Sequence, residues 1–126
     1  MIQQQSILRI VDNSGAKTAK CIKVLKKKTE AKIGDLIIVS ITKVIKNYTN
    51  KTLKIKKGSV FLAIVVGLKK SYQKRKNFLF LINHNSICLV NKQKKLIATR
   101  LNKPIFKDLK KKKIFKLASL SLAGYY

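Results

Sequence analysis

Acidic residues are scarce in this chain: four Asp and Glu stand against 30 Lys and Arg in 126 residues, a formal net charge of +26. The single histidine, His84, leaves few groups for the titratable pair that general acid–base catalysis needs. Asp12 and Asp35 lie in turn-like contexts, where a carboxylate usually accepts backbone hydrogen bonds. Because neither a nucleophile elbow nor a phosphate-binding P-loop occurs, the sequence does not predict an enzyme.

Metal ligands and cysteines are also few. Two cysteines cannot build a disulfide framework, and Cys21, Cys88 and His84 offer three soft ligands where a structural zinc site uses four. Both cysteines lie in apolar segments, so we interpret them as small core thiols. The sequence therefore predicts no metal and no other cofactor.

Long apolar runs are missing. The longest, Val60–Val66, falls far short of the ~20 residues of a membrane-spanning helix. No amphipathic surface helix or lipidation motif stands out, and Met1–Ser6 has no targeting character. We therefore expect no membrane partner.

Lysine supplies nearly all of the positive charge, since arginine occurs only at Arg9, Arg75 and Arg100. Self-repulsion of this size opposes compaction, so a polyanion should neutralise it, and nucleic acid is the partner we favour. Arginine offers a planar fork where lysine is a mobile point charge, which makes the three arginines the best candidates for defined contacts. Heavy use of Lys, Ile and Asn without Trp indicates an A/T-rich genome.

Short apolar segments separated by turns predict a mainly β fold. The expected strands are Ile7–Val11, Ala16–Leu25, Leu36–Ile45, Ser59–Leu68 (buried on both faces), Phe78–Ile82 and Ile87–Val90. They lack a βαβ rhythm, which favours a small closed β-barrel of OB-like or SH3-like size. Lys46 to Lys57 should form a projecting β-hairpin and Lys69 to Lys76 a basic loop. Pro104 and the apolar spacing after Lys111 predict two short C-terminal helices.

The basic residues concentrate in the predicted loops and at the end of the chain. They cluster in Lys26–Lys28, Lys43–Lys57, Lys69–Lys76 and Lys107–Lys116. Each lysine alone could be a solvated charge, but four acids cannot neutralise the clusters together. Tyr48 and Tyr72 could stack on bases or pack on the barrel. Gly15, Gly34 and Gly58 fit positive φ in turns better than close approach to RNA.

Several motifs, taken in order, resemble a known family. The chain opens with Met1–Ser6, followed by Asp12-Asn-Ser-Gly-Ala16 and Cys21-Ile-Lys-Val-Leu25. Then come Ile33-Gly-Asp-Leu36, Ile55-Lys-Lys-Gly58, Ala63-Ile-Val-Val66 before Lys69-Lys70, Asn85, Ala98-Thr-Arg100 and Pro104. In this order and spacing the chain resembles universal large-subunit ribosomal protein fourteen, from Met1 to about Leu122.

The resemblance implies a five-stranded β-barrel with a projecting hairpin and short C-terminal helices. We expect one domain over residues 1–126, with the barrel over about 1–98 and an interface loop and helices over about 99–122. The family is not enzymatic and belongs to the large ribosomal subunit. Its partners are large-subunit rRNA, neighbouring large-subunit proteins (family members three and nineteen), small-subunit rRNA in an inter-subunit bridge, and a ribosome silencing factor.

The resemblance and the basic clusters together give candidate site residues. The expected rRNA-binding residues are Asn13, Ser14, Lys17, Lys23, Lys43, Lys46, Lys51, Lys54, Lys56, Lys57, Lys69, Lys70, Lys74, Arg75 and Lys76. The family's Thr-Arg loop maps the bridge onto Thr99 and Arg100, with Lys110, Lys112 and Lys113 nearby.

Two motifs depart from the family's usual form. The family's turn reads Asn83-His84-Asn85 in this chain. The family's loop Gly-Thr-Arg-Ile-Phe-Gly-Pro-Val reads Ala98-Thr-Arg-Leu-Asn-Lys-Pro-Ile105. The altered loop sequence predicts a stiffer or differently shaped interface loop. The family's start coincides with Met1, so we expect no presequence. With the A/T-type composition, this favours synthesis inside a mitochondrion, with a plastid or a bacterium as the alternative.

A free-standing RNA-binding or RNA-chaperone barrel is the alternative function. That class usually carries exposed aromatic residues on strand faces. The strand aromatics here, Phe61, Phe78 and Phe80, fit a core better.

Overall fold

A computed structural model describes residues 1–26, 29–45, 55–75, 78–105, 109 and 119–121, with the backbone alone for 71–75 and 78–80. This part of the chain contains seven β-strands. They are β1 (Ile7–Ile10), β2 (Ala16–Val24), β3 (Leu36–Val44), β4 (Val60–Gly67), β5 (Ser71–Arg75), β6 (Phe78–Leu81) and β7 (Ser86–Val90).

Five of these strands form a closed barrel in the order β1-β2-β3-β4-β7. Neighbouring strands pair antiparallel except β1 and β7, which close the barrel as a parallel pair with Arg9 opposite Ser86. The predicted mainly β fold and closed five-stranded barrel are confirmed. Closure pairs the edges that an open sheet would leave exposed.

The barrel interior is lined by alternate side chains of the strands. β2 shows the pattern most clearly, because Ala19 and Cys21 are buried while Lys20 and Ile22 face outward. Successive side chains of a strand point to opposite faces, so the period-two pattern places one set inside the barrel. The interior cluster includes Leu8, Ile10, Ala19, Cys21, Val24, Ile37, Val39, Ile41, Ala63, Val65, Ile87 and Leu89.

A second apolar cluster covers the outer face of β4 and β7. On β4, Ala63 and Val65 belong to the interior cluster, whereas Ile64 and Val66 point the other way into the second. Cys88 and Val90 of β7 join them, and Val11, Leu101, Ile105 and Leu109 complete the cluster. The prediction that the fourth strand is buried on both faces is therefore confirmed. The chain beyond residue 100 supplies much of the outer cover.

The region from Lys69 to Leu81 differs from the prediction. Ser71–Arg75, predicted as part of a basic loop, is a strand that pairs antiparallel with Phe78–Leu81 in a separate two-stranded sheet. The segment beginning at Phe78 is therefore a strand, as predicted, but it lies outside the barrel. Ser71–Arg75 has a polar and charged sequence and pairs outside the barrel, so its hydrophobic pattern did not reveal a strand.

Two predicted elements lie mainly outside the described residues. The projecting hairpin over Lys46 to Lys57 is described only from Ile55 onward. Within the region of the predicted C-terminal helices, Leu109 and Ser119 have helical conformation.

Candidate nucleic-acid interface

The turn after β1 is built around the carboxylate of Asp12. Oδ1 accepts hydrogen bonds from the Ser14 backbone N–H at 3.0 Å and from the Ser14 hydroxyl, and Oδ2 accepts the Leu89 N–H at 2.7 Å. Asp12 is 6% exposed, so these donors replace the water it loses on burial. Asp12 thereby connects the turn to β7. The prediction that its carboxylate accepts backbone hydrogen bonds is confirmed.

Asn13, the next residue, holds the loop that carries Thr99 and Arg100. Its Oδ1 accepts the Thr99 N–H at 3.1 Å and the Arg100 N–H at 3.3 Å, while its Nδ2 donates to Thr99 Oγ1 at 3.0 Å. The Asn13 N–H also donates to the Arg100 carbonyl at 3.3 Å. One amide side chain therefore replaces the backbone partners that a regular strand would provide, a use for which Asn is well suited.

Backbone hydrogen bonds fix the loop on its other side. The Asn102 N–H donates to the Val11 carbonyl at 2.9 Å, and the Leu101 N–H donates to the Leu120 carbonyl at 3.0 Å. Leu101 is buried, whereas the Thr99 and Arg100 side chains are exposed. The guanidinium thus projects from a loop whose backbone is held by the barrel.

The loop of residues 98–105 takes its shape without left-handed residues. Ala98 and Lys103 occupy the positions of the two family glycines, and neither is among the described residues with positive φ. Glycine's extra conformational freedom is therefore not needed at these two positions.

The other predicted rRNA-binding and bridge residues divide into four groups. Seven lysines are exposed: Lys17, Lys23, Lys43, Lys56, Lys57, Lys69 and Lys70. Lys74 and Arg75 lie on β5, where the backbone alone is described; Lys46, Lys51, Lys54, Lys76, Lys110, Lys112 and Lys113 lie outside the described residues. Ser14 is buried, at 1% exposure, and its hydroxyl is committed to Asp12.

A cluster of basic side chains that the sequence did not reveal lies beside the loop. Lys103 Nζ contacts His84 Nε2 and donates to Ser86 Oγ at 3.4 Å, and Arg9 stands opposite Ser86 across the β1–β7 pair. Burial, then the Lys103 and Arg9 charges, lower the pKa of His84. Burial and Arg9 likewise lower the pKa of Lys103. Arg9, an outward-pointing charge within an apolar strand, was the one signal available in the sequence.

The cysteines and glycines behave as predicted. Cys21 and Cys88 are free and buried, and burial raises the pKa of both thiols. Gly15, Gly34 and Gly58 all have positive φ, so each occupies a turn position that favours glycine.

The described residues contain neither a cluster of metal ligands nor a membrane-spanning helix. Within those ranges, no group of three or more His, Cys, Asp or Glu side chains is placed to hold a metal ion. In the same part of the chain, no helix is long and apolar enough to cross a membrane.

Fold and surface together define a small cationic β-barrel protein with an arginine loop fixed to one end of the barrel. The chain matches the family model of Ribosomal protein L14p/L23e over residues 1–124 and belongs to that family. It is therefore a structural constituent of the ribosome, where it takes part in translation as a component of a ribonucleoprotein.

Proposed function

We propose that this chain is a non-enzymatic constituent of the large ribosomal subunit that binds large-subunit rRNA through its lysine-rich exterior. The observation that carries the proposal is the imbalance of surface charge. Of the three acids among the described residues, Asp12 is buried, Glu30 accepts from Gln3, and Asp35 accepts from the Lys32 N–H. They cannot neutralise the exposed lysines, whereas packed phosphates can.

The exposed lysines we assign to rRNA contacts lie on more than one side of the barrel. Lys17 and Lys23 are on β2, Lys43 is on β3, and Lys56 and Lys57 precede β4. Flexible point charges spread over a rigid barrel suit recognition of a folded RNA by its backbone and shape. We extend this role to Lys69 and Lys70 and, by resemblance, to Lys46, Lys51, Lys54, Lys74, Arg75 and Lys76.

Asn13 and Ser14 contribute indirectly in this proposal. The Ser14 hydroxyl is bonded to Asp12, and the Asn13 amide is bonded to the loop of Thr99 and Arg100. We therefore treat both as positioning residues that shape the RNA-facing surface, rather than as direct rRNA ligands.

The interface loop is proposed as the part that reaches small-subunit rRNA. Arg100 is exposed while its backbone is held by Asn13, so a planar donor fork is presented with little freedom in the chain beneath it. Thr99 supports the loop, and Lys110, Lys112 and Lys113 add positive charge nearby by resemblance. The same face would receive a ribosome silencing factor.

The remaining assignments follow from the resemblance and composition. Family members three and nineteen are the protein neighbours we propose in the large subunit. Heavy use of lysine, isoleucine and asparagine favours a mitochondrial ribosome over a plastid or bacterial one. Sedimentation of a mitochondrial lysate should then place the chain with the large subunit.

A salt titration tests rRNA binding. The full chain is titrated with a folded large-subunit rRNA fragment and with a random single strand of equal length. If about ten phosphates are engaged, log K should fall with log salt at a slope of about −7 on the single strand. A structural ribosomal protein also prefers the folded fragment. Equal affinity for both RNAs would favour the free-standing chaperone.

Replacing Arg100 by Ala tests the bridge. Loss of one charge-assisted contact of about 1.5 kcal/mol should weaken subunit joining roughly tenfold. Incorporation into the large subunit should be unchanged, because Arg100 is not among the proposed large-subunit contacts. Lys92→Ala, an exposed lysine between β7 and the loop, is the matched control. Loss of incorporation in Arg100→Ala would overturn the bridge assignment.

A further inference from the structure

Three basic side chains lie close together beside the loop of residues 98–105. Lys103 Nζ contacts His84 Nε2, although both groups can carry positive charge. Arg9 on β1 is the third basic group, and its charge contributes to lowering the pKa of both His84 and Lys103. Among the described residues, the charged groups that shift the pKa of His84 and of Lys103 are basic, and none is acidic.

The backbone holds these side chains together. The Arg9 N–H donates to the Asn85 carbonyl at 2.9 Å, which fixes the His84 turn to β1. The Asn85 side chain accepts the Lys69 N–H at 2.7 Å, which ties the same turn to the end of β4. On the other side, Ser121 Oγ donates to the Lys103 carbonyl at 3.0 Å. The backbone of the fold therefore brings Arg9, His84 and Lys103 together.

A polar group lies at the base of the cluster. Ser86 is 2% exposed, and its hydroxyl accepts from Lys103 Nζ at 3.4 Å. Arg9 is exposed, and His84 and Lys103 are half-buried, so an anion from solvent can reach the basic groups. Holding cations together in a partly desolvated place is unfavourable unless an anion joins them, and charge-assisted hydrogen bonds to phosphate are strong and short.

We propose that Arg9, His84 and Lys103 form a binding site for a single phosphate group, with Ser86 at its base, and that this phosphate belongs to the rRNA backbone. The inference deepens the proposed rRNA binding and rests on it. It differs from the diffuse lysine field because it names one defined phosphate position. Arg9, one of the three arginines, supplies the planar fork there.

The single histidine provides the probe. Its imidazole Cε1–H gives one proton resonance, so the pKa of His84 can be followed in the full chain by NMR with inorganic phosphate as ligand. At constant ionic strength, phosphate should raise the pKa of His84 saturably and chloride should not, because a bound anion favours the charged imidazole. Equal effects of phosphate and chloride would overturn the site.

Lys103→Met removes the charge and keeps an unbranched side chain. Its apparent phosphate affinity should fall about tenfold, as expected for loss of one charge-assisted contact. The backbone amide spectrum of the barrel should be retained, and the exposed control Lys92→Met should bind phosphate like the parent chain. An unchanged phosphate affinity in Lys103→Met would remove Lys103 from the site and refute the proposal.

Titration with the folded rRNA fragment distinguishes failure of this phosphate site from failure of the proposed rRNA-binding function. On the folded rRNA fragment, Lys103→Met should make the slope of log K against log salt shallower by about 1, and Lys92→Met should not. If the parent chain prefers the fragment but Lys103→Met shows an unchanged slope, the phosphate site is not used by rRNA and only this inference fails. If the parent chain shows no preference, the proposed function fails as well.

Discussion

The two apolar clusters of this protein differ in what holds them together. The barrel interior is built by alternate side chains of the five paired strands, so each strand buries its contribution against its neighbours. The outer cluster needs Leu101, Ile105 and Leu109 from the end of the chain to cover β4 and β7. The loop of Thr99 and Arg100 lies where the chain leaves the first cluster and begins to cover the second.

This difference indicates that the two apolar clusters have different structural roles. A closed barrel gives a rigid body on which lysines are presented, and most of its interior cluster comes from the paired strands. The outer cluster and the Asn13 amide anchor the loop that presents Arg100. We therefore expect damage to the barrel to unfold the whole protein, and damage to the outer cluster to release the loop first.

The largest effect is expected inside the barrel. Leu8→Ala removes a side chain that is 0% exposed, and it should lower the free energy of unfolding by about 3 to 4 kcal/mol through lost burial and the cavity left behind. Chemical denaturation gives the value. The neighbouring Ile7, 73% exposed on the opposite face of β1, is the control, and Ile7→Ala should change stability by no more than about 0.5 kcal/mol. Similar losses in both variants would contradict the assigned strand register.

A smaller and more local effect is expected in the outer cluster. Leu101→Ala should cost about 2 kcal/mol, because a cover segment can relax more than a barrel strand. Hydrogen exchange should accelerate at the Leu101 and Asn102 amides, while barrel amides such as Val65, bonded to Asp35, stay protected. Asn102→Ala, at an exposed neighbouring side chain, is the control. Equal acceleration throughout the barrel would show that the two clusters form one cooperative unit.

The smallest effect concerns pH. Burial and the nearby cations lower the folded-state pKa of His84 below 6.5, so the unfolded chain takes up a proton first as pH falls. Stability should be unaffected by this group above pH 6.5 and should decline below it, down to the lowered folded pKa. His84→Gln should lose this component between those limits when denaturation is followed against pH. A parent chain whose stability rises as pH falls through 6.5 would contradict the assignment.

The sequence was sufficient for the features that follow from periodicity. The alternation in Ala16–Leu25 predicted a strand with both faces partly covered, and the continuous apolar run of Val60–Val66 predicted a doubly buried strand. Both strands exist, although Lys20 and Ile22 on one face of the first are exposed. β5 was missed because a strand in a hairpin outside the core needs no apolar face. Its residues carry charge, so the pattern resembled a loop.

The contacts of the site could not be read from the sequence. Asn13 and Thr99 are far apart in the chain, and their pairing depends on how β1 and the end of the barrel meet. The same holds for Arg9, His84 and Lys103, since they come from three separate segments and the fold alone brings them together. Motif resemblance located Thr99 and Arg100, but it did not show which residue holds them.

The central claim is that Asn13 acts on subunit joining only by positioning the Arg100 loop. It is tested by a double-mutant cycle in which joining of purified subunits is measured for Asn13→Ala, Arg100→Ala and the double variant. Each single change should weaken joining, and the double variant should be no weaker than Arg100→Ala alone, because both remove the same contact. Losses that add in full would show that Asn13 contributes independently and would contradict the account.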